Sequence, residues 1–197
     1  GLDIAIRRED STDIPKWPET TITRAGEGIR TTLDFIIRRN DLTPDMRWIA
    51  VNSVSEHIKS LDFVLRKDLG PQTRRLALEA DSELRRNIML ILARDLDADT
   101  RRIALAGNSE LSRVVNVALN EIQSDPRALR LALANLGSYA VAVSASFANG
   151  VRPAIRNMIL DGQGSYAAVV EATVANLKGA PRRILLEQHG LYTANIM

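Results

Sequence analysis

The sequence predicts an all-α fold: a right-handed α-solenoid of about six 27-residue two-helix repeats, preceded by an extended N-terminal arm. The first observation behind this is a fixed period. Cut at Asp41, Asp68 and Asp95, the chain gives DLTPDMRWIAVNSVSEHIKSLDFVLRK, DLGPQTRRLALEADSELRRNIMLILAR and DLDADTRRIALAGNSELSRVVNVALNE. Self-similarity at such a spacing is the mark of stacked supersecondary units. The second is the columns this register creates: Arg47, Arg74 and Arg101; Ala50, Ala77 and Ala104; Ser55-Glu56, Ser82-Glu83 and Ser109-Glu110. The third is composition. Aromatic residues make up only 4% of a chain that is 45% hydrophobic, so Ala, Leu, Ile and Val must fill the core, which suits close-packed helices.

Residues 1–20 stand outside the period. GLDIAIRREDSTDIPKWPET alternates briefly, turns polar, then carries Pro15 and Pro18, which hold the backbone extended. This segment reads as an arm with Ile4, Ile6 and Trp17 as apolar anchors for a neighbouring molecule. Residues 21–197 read as the solenoid. From Thr20 to Asn40 a degenerate unit places Leu33-Asp34-Phe35 28 residues before Leu61-Asp62-Phe63.

Each unit from Asp41 to Glu121 reads as two short helices. Thr43, Gly70 and Asp97 fall in an N-cap column, with Pro44 and Pro71 at the first helical position. The Ser-Glu column reads as the start of the second helix, Ser capping and Glu facing the positive end of the helix dipole. Ser124 falls in the same cap column for the next unit. Further on, GSYAVAVSASFAN from Gly137 and GSYAAVVEATVAN from Gly164 repeat at the same spacing. Between Gly137 and Asn176 only Arg152, Arg156, Asp161 and Glu171 are charged. A terminal repeat ordinarily carries a polar cap face. This half therefore reads either as the best-covered part of the solenoid or as a surface for another subunit; the second is preferred, with Tyr139 and Tyr166 among the contact residues.

The Asp and Arg columns, Asp41/Arg47, Asp68/Arg74 and Asp95/Arg101, predict a structural ladder in which the Arg of one unit meets the Asp of the next through charge-assisted hydrogen bonds. DLDADTRRIALA and DLGPQTRRLALE resemble the HEAT-like repeats, with an acidic turn residue followed by Thr-Arg and an Ala-rich helix. ALAGNSEL is also similar to the leucine-rich-repeat-variant pattern, though the cysteine-bound cluster known there has no cysteine to build on. The resemblance covers residues 40–135 best. It implies an α-solenoid whose concave or edge surface binds a partner, usually a protein.

Little in the sequence points to catalysis. No cysteine is present, so thiol chemistry and thiolate metal sites are out. His57 and His189 have no partner at metal or triad spacing, and no phosphate-binding glycine loop, nucleophile elbow or zinc-protease motif occurs. No cofactor and no small-molecule substrate are expected. No apolar run reaches membrane-spanning length, and no membrane partner is expected. The net charge of +2 gives no strong field, but of 26 basic residues only Lys16, Lys59, Lys67 and Lys178 are Lys. Trp48, Arg75 and Arg102 share a column beside the ladder arginines and would form a stripe able to follow a phosphate backbone.

The sequence thus predicts a non-enzymatic structural or adaptor protein that makes protein–protein contacts or self-associates. It would work in the cytoplasm or in a particle assembled there, such as a virion. A nucleic-acid-binding solenoid using the Arg stripe is the alternative, and an enzyme subunit completed by a partner the third reading.

Overall fold

A computed structural model describes residues 19–196, with side-chain surroundings from 24 to 195. The arm anchors Ile4, Ile6 and Trp17 lie outside the described residues. What is described is all-helical: α1 (Glu19–Arg38), α2 (Pro44–Arg66), α3 (Pro71–Ala93), α4 (Ala98–Glu121), α5 (Pro126–Ala145), α6 (Pro153–Asn176) and α7 (Gly179–Ile196). No strand occurs among these residues.

The helix starts follow the cap column. Thr43 Oγ1 accepts from the Met46 amide, and Asp97 Oδ1 from the Thr100 amide. Gly70 caps α3 without a side chain. The fourth cap is Asp125, not Ser124: its Oδ1 accepts from the Ala128 amide and Pro126 takes the first helical position.

The repeat unit differs from the expectation. Each 27-residue period holds one continuous helix of 23 or 24 residues from α2 to α4, not two short ones. The Ser-Glu column lies mid-helix. A serine caps only where the preceding chain leaves the helix, and neither proline nor a turn forces it out there. The Glu of each pair instead reaches a basic residue one turn on: Glu56–Lys59 at 2.9 Å, Glu83–Arg86 at 3.7 Å and Glu110–Arg113 at 2.9 Å.

Helices of this length bury their apolar faces against two kinds of neighbour. Consecutive helices run antiparallel, so Asn108 Nδ2 on α4 donates to the Leu84 carbonyl on α3, and the Tyr139 hydroxyl on α5 to the Ile159 carbonyl on α6. The more extensive packing joins each helix to the next but one: α2 with α4, α4 with α6, α3 with α5 and α5 with α7. Pairs such as Ser60–Asn116, Arg113–Glu171 and Arg127–Glu187 are 56 to 60 residues apart, close to two periods. Small residues allow this close approach. Ala50, Ala77 and Ala104 are fully buried, and a Cβ on Gly107 of α4 would lie 2.6 Å from the Gln163 Cβ of α6. Leu84, Ile88, Leu111, Leu119 and Leu133 fill the spaces between.

Among the described residues one helix, α5, is long and apolar enough to cross a membrane by length and composition, contrary to the reading of the sequence. It packs between α3 and α7, more than half buried, and carries Arg127 and Arg130.

Candidate interaction faces

The arginine column closes the turns. The last carbonyls of a helix lack intrahelical partners and sit at the negative end of its dipole. Arg47, in the first turn of α2, donates to the Ile36 and Arg39 carbonyls at the end of α1, at 3.0 and 2.7 Å. Arg101 does the same for Arg94 behind it, and Arg156 and Arg182 for Ser146, Val174 and Leu177. Arg74, the equivalent residue of α3, is buried, and burial lowers its pKa.

The ladder has a different geometry from the one expected. Arg101 meets Asp41 at 3.2 Å, which is the Asp two units back, because helices pack against the next but one. Hydrogen bonds from Arg39, with Arg101 adding charge, hold the Asp41 carboxyl below the usual carboxylate range. Asp41 is half exposed, so the rung contributes little. Asp68 and Asp95 lie exposed in their turns.

The arginine stripe is split. Trp48 and Arg102 are exposed in the first turns of the parallel helices α2 and α4. Arg75 is exposed in the first turn of α3, which runs the other way. A helix of this length spans about 35 Å, so Arg75 sits at the opposite edge. There it pairs with Glu79 at 2.8 Å. Three points two-to-one across the molecule do not make a track.

Tyr139 and Tyr166 are core residues, not contact residues. They are 2% and 6% exposed, and their rings stack with centroids 4.6 Å apart. Tyr192 of α7 stacks on Tyr166 at 6.1 Å, and His189 meets Tyr166 edge-on. Burial pushes the Tyr139 phenol up to about 12 and Tyr166 further. Both sit where consecutive helices cross, and a ring there fills the gap that Ala and Val leave.

Buried polar groups form a seam between α2 and α4. Asn108 donates to Ser53 Oγ at 3.2 Å. Ser60 donates to Asn116 Oδ1 at 2.6 Å, and Asn116 donates to the Glu56 carboxylate at 2.6 Å. At its edge His57 Nδ1 lies 3.2 Å from Asp81 Oδ1, both buried. Burial pushes the Asp81 carboxyl up, against the pull of His57. A His–Asp pair is two parts of a nucleophilic site. Among the described residues it opens on a cavity of about 20 Å³, large enough for one water. His189, whose pKa burial lowers, lies 3.2 Å from Thr173 Oγ1. No group of three His, Asp or Glu among the described residues is placed to hold a metal ion.

Of the large exposed apolar side chains among the described residues, Ile37, Ile103 and Val141 lie on α1, α4 and α5, and the rest on the three helices α2, α6 and α7. On α2, Val51 and Ile58 face away from α4, and Trp48 (67% exposed) stands on the open surface that Arg102 shares on α4. On α6, Met158 (63%) and Val169 face away from α4, and on α7 Ile184, Leu185, Leu191 (67%) and Tyr192 face away from α5. The sequence reading found Trp48 but missed the others. A signal was present at two positions: Trp48 stands where later units have Arg75 and Arg102, and Ile58 where they have Arg85 and Ser112. On α6 and α7 the core and outer positions are both Ala, Val and Leu, so no contrast marked the face.

No family model matches this chain, and neither a curated protein nor a solved structure matches it.

Proposed function

We propose that this chain is a right-handed HEAT-like α-solenoid that acts as a non-enzymatic structural or adaptor protein, making protein–protein contacts through its ends as a subunit of a larger assembly. The observation that carries the reading is the placing of apolar surface. Most of the large exposed apolar residues among the described ones lie on α2, α6 and α7, and apolar surface gathered in this way marks an interaction site. The groups able to do chemistry are spent on packing: His57 and Asp81 inside, the column arginines on helix ends. The nucleic-acid alternative loses its support with the split of Trp48 and Arg102 from Arg75.

The test is a photo-crosslinking side chain placed in turn at positions 48, 102 and 169 of the full chain, with adducts in cell extract sorted into protein and nucleic acid. Protein adducts from 48 and 169, with no DNA or RNA affinity that falls steeply with salt, are expected. Nucleic-acid adducts from 102, or no protein adduct from either end, would overturn the reading.

A further inference from the structure

The charges of α7 are all turned towards its own chain. Arg182 donates to the Val174 and Leu177 carbonyls, Arg183 reaches Asp125, and Glu187 accepts from Arg127 at 2.8 Å. Those are its only charged residues, so the outward side, with Ile184, Leu185, Leu191 and Tyr192, carries none. The neighbouring outward side of α6 continues it. There Glu171 is drawn inward by Arg113 and Arg156 by the Ser146 carbonyl, which leaves Met158 and Val169 exposed beside a single acid, Asp161. A helix whose charges all point inward while its leucines face out is inverted relative to a solvent-facing helix.

We infer that the α6–α7 face pairs with the same face of a second copy of this chain, forming a two-fold symmetric dimer. This rests on the protein-contact reading above and names the partner. A face whose one charge is Asp161 is best matched by a face as poor in charge, because a dense set of charges laid against its apolar residues would be stripped of water with nothing to pair with. The opposite end of the molecule fails that condition: the outward side of α1 carries Arg24, Glu27, Arg30, Asp34 and Arg38, all exposed. Head-to-tail stacking would set those charges against Leu191 or Val169. Of the two described ends, only the α6–α7 end is complementary to itself. Pairing of a patch with its own copy closes the assembly at two chains, the commonest symmetry of homo-oligomers.

The test uses the full chain and light-scattering mass after size exclusion across protein concentration. The wild type gives a mass of two chains that persists in high salt, as apolar contacts do. Val169→Arg and Leu191→Arg, both surface changes, each shift it to one chain with helical content unchanged. Trp48→Arg and Ile58→Arg, at the other end, leave the mass at two. Because the chain lacks cysteine, a single Ser165→Cys on the same face is expected to give a disulfide-linked dimer on mild oxidation. The proposal is overturned by a one-chain mass for the wild type at 100-fold the working concentration, by a mass that grows without stopping at two, or by dimer loss in the Trp48 or Ile58 variants alone. A one-chain mass together with protein adducts from position 169 would sink the dimer and leave the protein-contact reading standing. The absence of any protein adduct would sink both.

Discussion

The α2·α4 pair and the crossings of α6 with α5 and α7 are held by different chemistry. Between α2 and α4 the buried surface is polar: Ser53, Glu56, Ser60, Asn108 and Asn116 bond one another across the interface. Around α5, α6 and α7 it is aromatic and aliphatic, with Tyr139 and Tyr166 stacked and Tyr192 above them. The first kind gives register, since sliding a helix by one residue strands several donors. The second gives buried area with weak register. The first contact therefore fixes its neighbour one bond at a time, and the stack around α6 fixes its neighbours by shape, beside the end where apolar surface is left over.

The largest break in that comparison is Tyr166→Ala. Removing a buried ring from the stack costs about 3–5 kcal/mol. Tyr192→Ala removes a half-exposed ring and costs less than about 1 kcal/mol. Urea unfolding of both variants reads the difference, and equal losses would mean the stack is not the core of this half.

Next come the column arginines. Arg74→Ala removes a buried side chain and is expected to cost about 2–3 kcal/mol, through lost packing as much as lost charge. Arg75→Ala breaks an exposed pair one turn apart, worth about 0.5 kcal/mol. A thermal melt in which the two fall together would contradict the structural role of the column.

On the polar side, Asn108→Ala leaves Ser53 and the Leu84 carbonyl without their donor inside the protein, at about 1–3 kcal/mol. Loss of amide-exchange protection in α2 and α4, with α6 and α7 unchanged, would sharpen the contrast. Uniform loss along the chain would blur it.

The smallest effect is on pH. Hydrogen bonds from Arg113 hold the Glu171 carboxyl below its usual value of 4.5. Its folded pKa is lowered, so its contribution is present above pH 4.5 and is lost as pH falls through the lower folded value. Buried Asp81, pushed up, works the other way: its share is full below 3.8 and is lost as pH rises. Glu171→Gln is expected to flatten the acid side of the stability profile by less than about 1 kcal/mol, since the pair is about one-third exposed. An unchanged slope would remove Glu171 from the α4·α6 contact.

What the sequence made legible was local. Thr43, Gly70 and Asp97 cap helices because capping is decided within three or four residues, and Pro44 and Pro71 mark the first turn for the same reason. The Ser-Glu column misled because a Ser next to a Glu is a cap only when the residues before it leave the helix, and Ala80 and Gly107 stay in it. The period gave the length of the unit and could not say that its best neighbour lies two units on; hence the ladder was drawn to the wrong Asp. Tyr139 and Tyr166 were read as surface because only four charged residues fall between Gly137 and Asn176. The same lack of contrast hid Met158, Val169 and Leu191.

The central claim is that side-by-side neighbours in this array are two periods apart, which is what leaves α2 at one end and α6 and α7 at the other uncovered. The most direct measurement is disulfide trapping in this cysteine-free chain. Ser53 and Ser112 have their Oγ atoms 3.4 Å apart, so Ser53→Cys/Ser112→Cys is expected to close a bond within one chain under mild oxidation. Ser60→Cys/Asn87→Cys, one period apart, is expected to stay reduced. The reverse outcome, closure at one period and none at two, would contradict the packing and the open ends that follow from it.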